Sequence, residues 1–232
     1  IGRRRVFFME GERKSLSLSM ILCARCHAQM GARMKFIGIT GGVGAGKSLV
    51  LSTLKEAACC RVLPADDVGN AVKLPGQPCY EALVELLGKD VLQKDGLIDR
   101  EKMAERIFRD PALLERVNAI IHPAVKQYIL QEVKREKRLG KLDFFFLEAA
   151  LLIEDGYGEL VDELWYIHAD KDVRARRLKE SRGYSEEKIN RILASQLSEE
   201  AFRQHCDVVI ENNGDVNQLR LQVLRLLEKE AG

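Results

Sequence analysis

The chain has 232 residues, 46% of them hydrophobic and 31% charged, with 37 Lys and Arg against 35 Asp and Glu for a formal charge of +2. That length and apolar content build one sizeable α/β core with room for a small lid or helical insert. A nearly balanced charge carries no basic footprint for nucleic acid, and no apolar run approaches the roughly 20 residues that span a bilayer, so a cytoplasmic protein is expected.

The charge is uneven along the chain. Residues 1–33 hold seven Lys or Arg and two acids, a net +5, which leaves −3 for the rest. This segment mixes arginines with short apolar runs and shows no helix or strand period. Residues 1–33 are therefore expected to be a non-native or disordered extension, with Met34 as the natural start. A secretory signal fails because the run from Leu16 to Cys23 is broken by serines and preceded by Glu10 and Glu12. Cys23-Ala24-Arg25-Cys26-His27 formally matches a haem-attachment pattern. It lies outside the expected folded unit, and that chemistry needs an exported context and an axial partner. The remaining cysteines, Cys59, Cys60, Cys79 and Cys206, have no metal-ligand spacing and read as reduced thiols.

From Met34 onward strand and helix signals alternate, the pattern of a parallel sheet covered by helices on both faces. The first strand is predicted over Lys35 to Thr40, followed by Gly41 to Ser48, which reads GGVGAGKS and fits the phosphate-loop pattern GxxxxGKS. Glycines at 42, 44 and 46 let backbone N–H groups curl around phosphate oxygens. Lys47 brings a compact positive charge to the outer phosphates, and the Ser48 hydroxyl is placed to ligate the magnesium ion that bridges them. The helix from Lys47 to about Ala58 adds its N-terminal dipole. Dinucleotide and protein-kinase glycine fingerprints both fail, because each needs glycine where Lys47 stands. The chain therefore handles a nucleoside triphosphate.

A short strand, Arg61 to Leu63, ends in a turn carrying Asp66. Helical patterns follow over Tyr80 to Leu87, Arg100 to Phe108, and Ala112 to Lys137, the last open to interruption at Pro123. The continuously apolar Phe144 to Leu147 reads as a central strand and ends in Glu148. A strand over Glu163 to His168 precedes an arginine-studded helix from Asp172 to Glu180. Another helix spans Glu186 to Gln196, a strand Val208 to Ile210, and a final helix Val216 to Glu230.

In parallel sheets the ligand crevice lies beyond the carboxyl ends of the strands, which aims Asp66 and Glu148 at the phosphates or their acceptor. Asp66 reads either as the base that takes a proton from an acceptor hydroxyl or as a turn or helix cap. Glu148 reads either as an anchor for magnesium-bound water or as a structural acid. Arg174, Arg176, Arg177 and Arg182 precede a break at Gly183, so they form either a lid that closes on transferring phosphate or a solvated face paired with Glu180, Glu186 and Glu187.

Taken in order, FIGITGGVGAGKS, Ala65-Asp66, Pro75-Gly76-Gln77-Pro78, Asp95-Gly96-x-Ile98-Asp99-Arg100, Asn118-x-x-x-His122-Pro123, Glu148-Ala149-Ala150-Leu151-Leu152, the Arg177 to Gln196 segment and Ile210-x-Asn212-Asn213-Gly214 resemble the dephospho-CoA kinase family from Met34 to about Leu227. The resemblance implies a three-layer P-loop kinase domain over residues 34–232, with a helical acceptor-binding insert at about 80–138 and a mobile lid at about 172–196. It implies ATP-dependent phosphorylation of the ribose 3′-hydroxyl of dephospho-coenzyme A. Its substrates would be ATP and dephospho-CoA, with Mg2+ as cofactor and no nucleic acid, membrane or obligatory protein partner.

Carried over by position, Asp66 is the base, and Lys47 and Arg177 stabilise the transferred group. Gly42, Gly44, Ala45, Gly46, Lys47, Ser48, Leu49 and Asn213 contact ATP, with Asn212 nearby. Asp66, His122 and Glu148 contact the acceptor, and Ser48 binds the metal. Two positions depart from the family pattern: Pro64 replaces an acid, and Leu49 replaces a threonine whose hydroxyl contact is thereby lost. Another small-molecule or nucleoside monophosphate kinase is the alternative reading. A GTPase switch is disfavoured, because no guanine-reading NKxD element is present.

Overall fold

A computed structural model describes residues 34–231. The 1–33 extension and its Cys23-to-His27 motif lie outside the described residues. Five strands form one parallel sheet in the order β2-β3-β1-β4-β5, where β1 is Lys35–Thr40, β2 Cys60–Pro64, β3 Phe144–Glu148, β4 Glu163–His168 and β5 Val208–Glu211. The three inner strands are almost continuously apolar because both faces are covered, which is what a parallel sheet between helical layers requires.

Period-two alternation divides the core. Phe36, Phe145, Leu147 and Leu164 face one layer, while Ile37, Ile39, Phe144, Phe146, Trp165 and Ile167 face the other. Against the second face lie α1 (Lys47–Ala57), through Val50, Leu54 and Ala57, and the C-terminal α9 (Val216–Ala231), through Leu219, Val223 and Leu227. The first face is covered by α2 (Ala65–Ala71), α3 (Tyr80–Leu87), α4 (Arg100–Arg109) and the 29-residue α5 (Pro111–Leu139). Three layers result, with α3, α4 and α5 forming most of one of them.

Helix α5 resolves the reading left open at Pro123. It runs unbroken through Pro123, capped by Asp110, whose carboxylate accepts from the Leu113 N–H, and stopped by Gly140 in the left-handed region at φ +60°. Proline removes one backbone hydrogen bond there. The stripe Val117, Val125, Ile129 and Val133, buried on both sides of it, holds the two halves in line. Arg61 of β2 fastens the same helix to the sheet, pairing with Glu132 at 2.5 Å and Glu136 at 2.7 Å while stacking on Phe145 at 5.6 Å.

Two further helices were not expected. The turn predicted around Asp66 is the start of α2, whose first turn holds Asp66 and Asp67 against the positive end of the helix dipole. Helix α8 (Glu199–His205) follows α6 (Lys171–Arg182) and α7 (Glu186–Ala194), and Ser198 caps it by accepting from the Ala201 N–H. Helix α7 also stops at Ala194, two residues before its predicted end, which leaves Gln196 in a connector. No described helix is long and apolar enough to cross a membrane.

Candidate active site

The carboxyl ends of β1, β2 and β3 converge, with Glu148 in register beside Ile39 and Pro64. Residues 41–46 therefore form a loop at the same edge as the acids that leave β2 and β3. The loop is shaped by what surrounds it. Gly46 precedes α1 at φ +90°, and a Cβ there would sit 2.2 Å from Asn212 Nδ2, so both backbone conformation and space demand glycine. At Gly42 a Cβ would meet the Arg174 guanidinium at 2.3 Å. Replacing Gly46 with Ala should cost about 1–3 kcal/mol through the forced backbone conformation alone. A lowered melting temperature together with lost ATP binding is the expected result, read by thermal unfolding and ATP titration.

Lys47 Nζ donates to the Gly41 carbonyl at 2.8 Å and stands 3.8 Å from Glu148 Oε1. Burial holds the lysine below its ordinary pKa, against the opposing pull of Glu148. Burial pushes Glu148 up, and Lys47 pulls it back. Ser48 is exposed in the first turn of α1, and its hydroxyl makes no hydrogen bond among the described residues. Leu49 turns the other way: its side chain packs on the α1–α9 core, and only its backbone faces the loop, donating to the Gly46 carbonyl at 3.1 Å.

The arginine helix α6 divides by period. Arg174 and Arg177, three residues apart, face the loop, whereas Arg176 and Arg182 are exposed. Arg177 Nη2 donates to the Asn212 carbonyl at 2.9 Å, and its other amino group reaches toward the Ala45 carbonyl at 3.5 Å. Buried Asn212 donates its side-chain amide to the same Ala45 carbonyl at 2.7 Å. Asn213 is exposed and instead accepts from the Asp170 N–H at 2.7 Å, tying the end of β5 to the loop before α6.

Sequence reasoning named Arg174 only as one of four candidate lid arginines and passed over Gln196. Arg174, 9% exposed, donates from Nε to the Val43 carbonyl at 2.9 Å and bonds to Gln196, whose Oε1 also accepts from the Val43 N–H at 3.3 Å. The spacing of Arg174, three residues before Arg177 on the same helical face, was the available signal for it. Gln196 had none, because its role depends on the connector that follows α7.

Beside the loop opens a cavity of about 450 Å³ whose lining includes Asp66, Asn70, Lys73, His122, Ala150 and Tyr157. Asp66 and His122, 56 residues apart in sequence, thus share one space. Asp66 is exposed, and its carboxylate makes no hydrogen bond or ion pair among the described residues, so it caps nothing. His122 Nδ1 lies 3.7 Å from Asp155 Oδ1. Among the described residues no group of three or more His, Cys, Asp or Glu is placed to hold a metal ion. The Ser48 hydroxyl opens α1 directly after the loop, and the Glu148 carboxylate stands beside Lys47.

A five-stranded parallel sheet with a glycine phosphate loop before its first helix, flanked by inward arginines and an acid-bearing cavity, defines a P-loop phosphotransferase. The family model for dephospho-CoA kinase matches residues 35–218. The dephospho-CoA kinase of Geobacillus kaustophilus is 35% identical over 193 residues, 83% of this chain and 95% of that protein. That of Symbiobacterium thermophilum is 34% identical over 190 residues, 82% of this chain and 79% of the other. Among solved structures, TT1252 from Thermus thermophilus superposes with a TM-score of 0.72 at 28% identity, covering 86% of this chain and 99% of its own. The Campylobacter jejuni dephospho-CoA kinase shares the fold at a TM-score of 0.66 and 20% identity, covering 84% and 96%. The chain belongs to the dephospho-CoA kinase family and is a kinase of that kind.

Proposed function

We propose that the chain transfers the γ-phosphoryl group of ATP to the ribose 3′-hydroxyl of dephospho-coenzyme A, giving coenzyme A and ADP in the cytoplasm. The observation that carries this reading is Asp66. It is an unpaired carboxylate at the mouth of a cavity large enough for a nucleotide-like acceptor, on the sheet edge that also carries the phosphate loop.

ATP would lie with its phosphates against the backbone N–H groups from Gly42 to Ser48. Asp66 would take the proton of the 3′-hydroxyl as that oxygen attacks the γ-phosphorus, while the bond from the γ-phosphorus to the bridging oxygen breaks and ADP departs. Lys47 and Arg177 would hold the charge that spreads over the transferring oxygens. Both are now bonded to main-chain carbonyls, a ready arrangement for cations awaiting a stronger anionic partner. Arg174, buried on the Val43 carbonyl, would keep the loop in shape, and His122 would touch the acceptor from α5. Asn213 lies beyond β5, the side expected for adenine, with its side-chain oxygen bound to Asp170. The segment over about 172–196, with Gly183 at φ +62° between α6 and α7, would serve as the lid.

A magnesium ion fits the donor set, because hard oxygen ligands are what it takes and it keeps most of its coordination on water and phosphate. Ser48, exposed and unpartnered among the described residues, would bind it directly, and Glu148 would hold its water. When bound with ATP, the ion neutralises the β- and γ-phosphate oxygens.

The test is ADP release measured across dephospho-CoA, AMP, UMP, gluconate and shikimate, with the position of the new phosphate read by phosphorus NMR. Stimulation by dephospho-CoA and a 3′-phosphate product are expected. No stimulation by dephospho-CoA overturns the assignment.

A further inference from the structure

Alternate carbonyls of the phosphate loop are each held by a side chain. Gly41 accepts from Lys47 Nζ at 2.8 Å, Val43 from Arg174 Nε at 2.9 Å, and Ala45 from the Asn212 amide at 2.7 Å. A trans peptide is planar, so its C=O and the N–H of the next residue point in opposite directions. Fixing the Val43 carbonyl on Arg174 therefore turns the Gly44 N–H away from α6, and that N–H makes no hydrogen bond among the described residues.

Val43 is held through its other peptide as well. Its N–H donates to Gln196 Oε1 at 3.3 Å, and the same oxygen accepts from Arg174 Nη2. Both partners are donors, so the contact calls for an acceptor and decides which way the Gln196 amide faces. Arg174 and Gln196 stand 22 residues apart, near the two ends of the segment proposed as the lid, yet they meet on one loop residue. Arg174 is buried and Gln196 half-buried, whereas most of α7 between them is exposed. The fixed points of that segment are its ends.

We infer that Gln196 is a positioning residue for ATP: with Arg174 it clamps both peptide groups of Val43 and so aims the Gly44 N–H at the bound phosphates. This deepens the reading of the loop as the ATP site and rests on it. A loop whose peptides can rotate must order them when phosphate arrives, and that ordering cost weakens binding. Two side chains that hold the peptides beforehand remove the cost. Gln196 acts through the loop backbone and not by contact with ATP. Because both anchors sit on Val43, the lid swings about a base fixed to the phosphate site.

Steady-state kinetics and amide exchange on the whole chain test the inference. Gln196→Met keeps the length of the side chain and removes its acceptor, and Gln196→Glu restores an acceptor. Gln196→Met should raise the KM for ATP about 10-fold, the worth of one or two hydrogen bonds. Its kcat should stay within about threefold and its KM for dephospho-CoA within about twofold of the parent, with the melting temperature unchanged. Exchange of the Val43 amide hydrogen, read by NMR without ligand, should quicken in that variant and return toward the parental rate in Gln196→Glu, which should also recover most of the KM. Adding Gln196→Met to Arg174→Met should cost little more than Arg174→Met alone, because both act on one residue. A KM for ATP unmoved by Gln196→Met overturns the inference. A fall in melting temperature that accounts for the loss, or full additivity in the double variant, overturns it equally. In a parent that ignores dephospho-CoA, which overturns the acceptor assignment, the same contrasts read by ATP titration and Val43 exchange still decide the clamp.

Discussion

Asp66→Asn should lower kcat about 10²- to 10⁴-fold, the usual contribution of a positioned general base, while the affinity for ATP stays within about twofold. The substitution keeps the shape and removes only the ability to accept a proton. Helix α2 should survive it, since the Asp66 side chain caps no backbone group and pairs with no cation among the described residues. Single-turnover rates with saturating ATP separate this from a binding defect. Near-parental turnover would remove Asp66 from the chemistry. Glu148, with its pKa raised by burial and a lysine 3.8 Å away, and Asp155, which lines the cavity, would then be the carboxylates to test.

Lys47→Ala is expected to reduce kcat by about 10²- to 10³-fold, the loss that follows removal of one preorganised charge-stabilising group, and to weaken ATP binding as well. A pH profile adds a readout specific to the lysine. Its pKa lies below the ordinary value because the ammonium is partly buried. The alkaline limb of kcat/KM for ATP, which reports the free enzyme, should therefore fall below about 10.4. Glu148 opposes that depression, since its negative charge favours the protonated lysine. Glu148→Gln should accordingly move the limb to still lower pH. A limb that stays fixed in Glu148→Gln would show that the carboxylate 3.8 Å away does not set the charge of Lys47.

Much of this architecture is legible in the chain because its signals are local. GGVGAGKS behind an apolar strand specifies a loop by what glycine permits, and the Phe144-Phe145-Phe146-Leu147 run specifies a strand buried on both faces. The remaining boundaries have tertiary causes. The stretch around Pro123 reads as open to interruption, and α5 continues because its buried stripe is held on both sides of the proline. Asp66 was read in a turn, yet the chain enters α2 one residue after Pro64.

The sequence by itself determined the nucleotide loop, the alternating parallel architecture and, through ordered motifs, the family. Each of these rests on local backbone preference or on periodic burial, which a short window of residues expresses. Only the tertiary structure decided which arginines face inward, that Gln196 reaches Val43, and that Asp66, His122 and Lys73 share one cavity. Those relations join residues far apart in the chain. No local preference encodes them, because the sheet order that places the ends of β1, β2 and β3 side by side is set by the packing of the whole core.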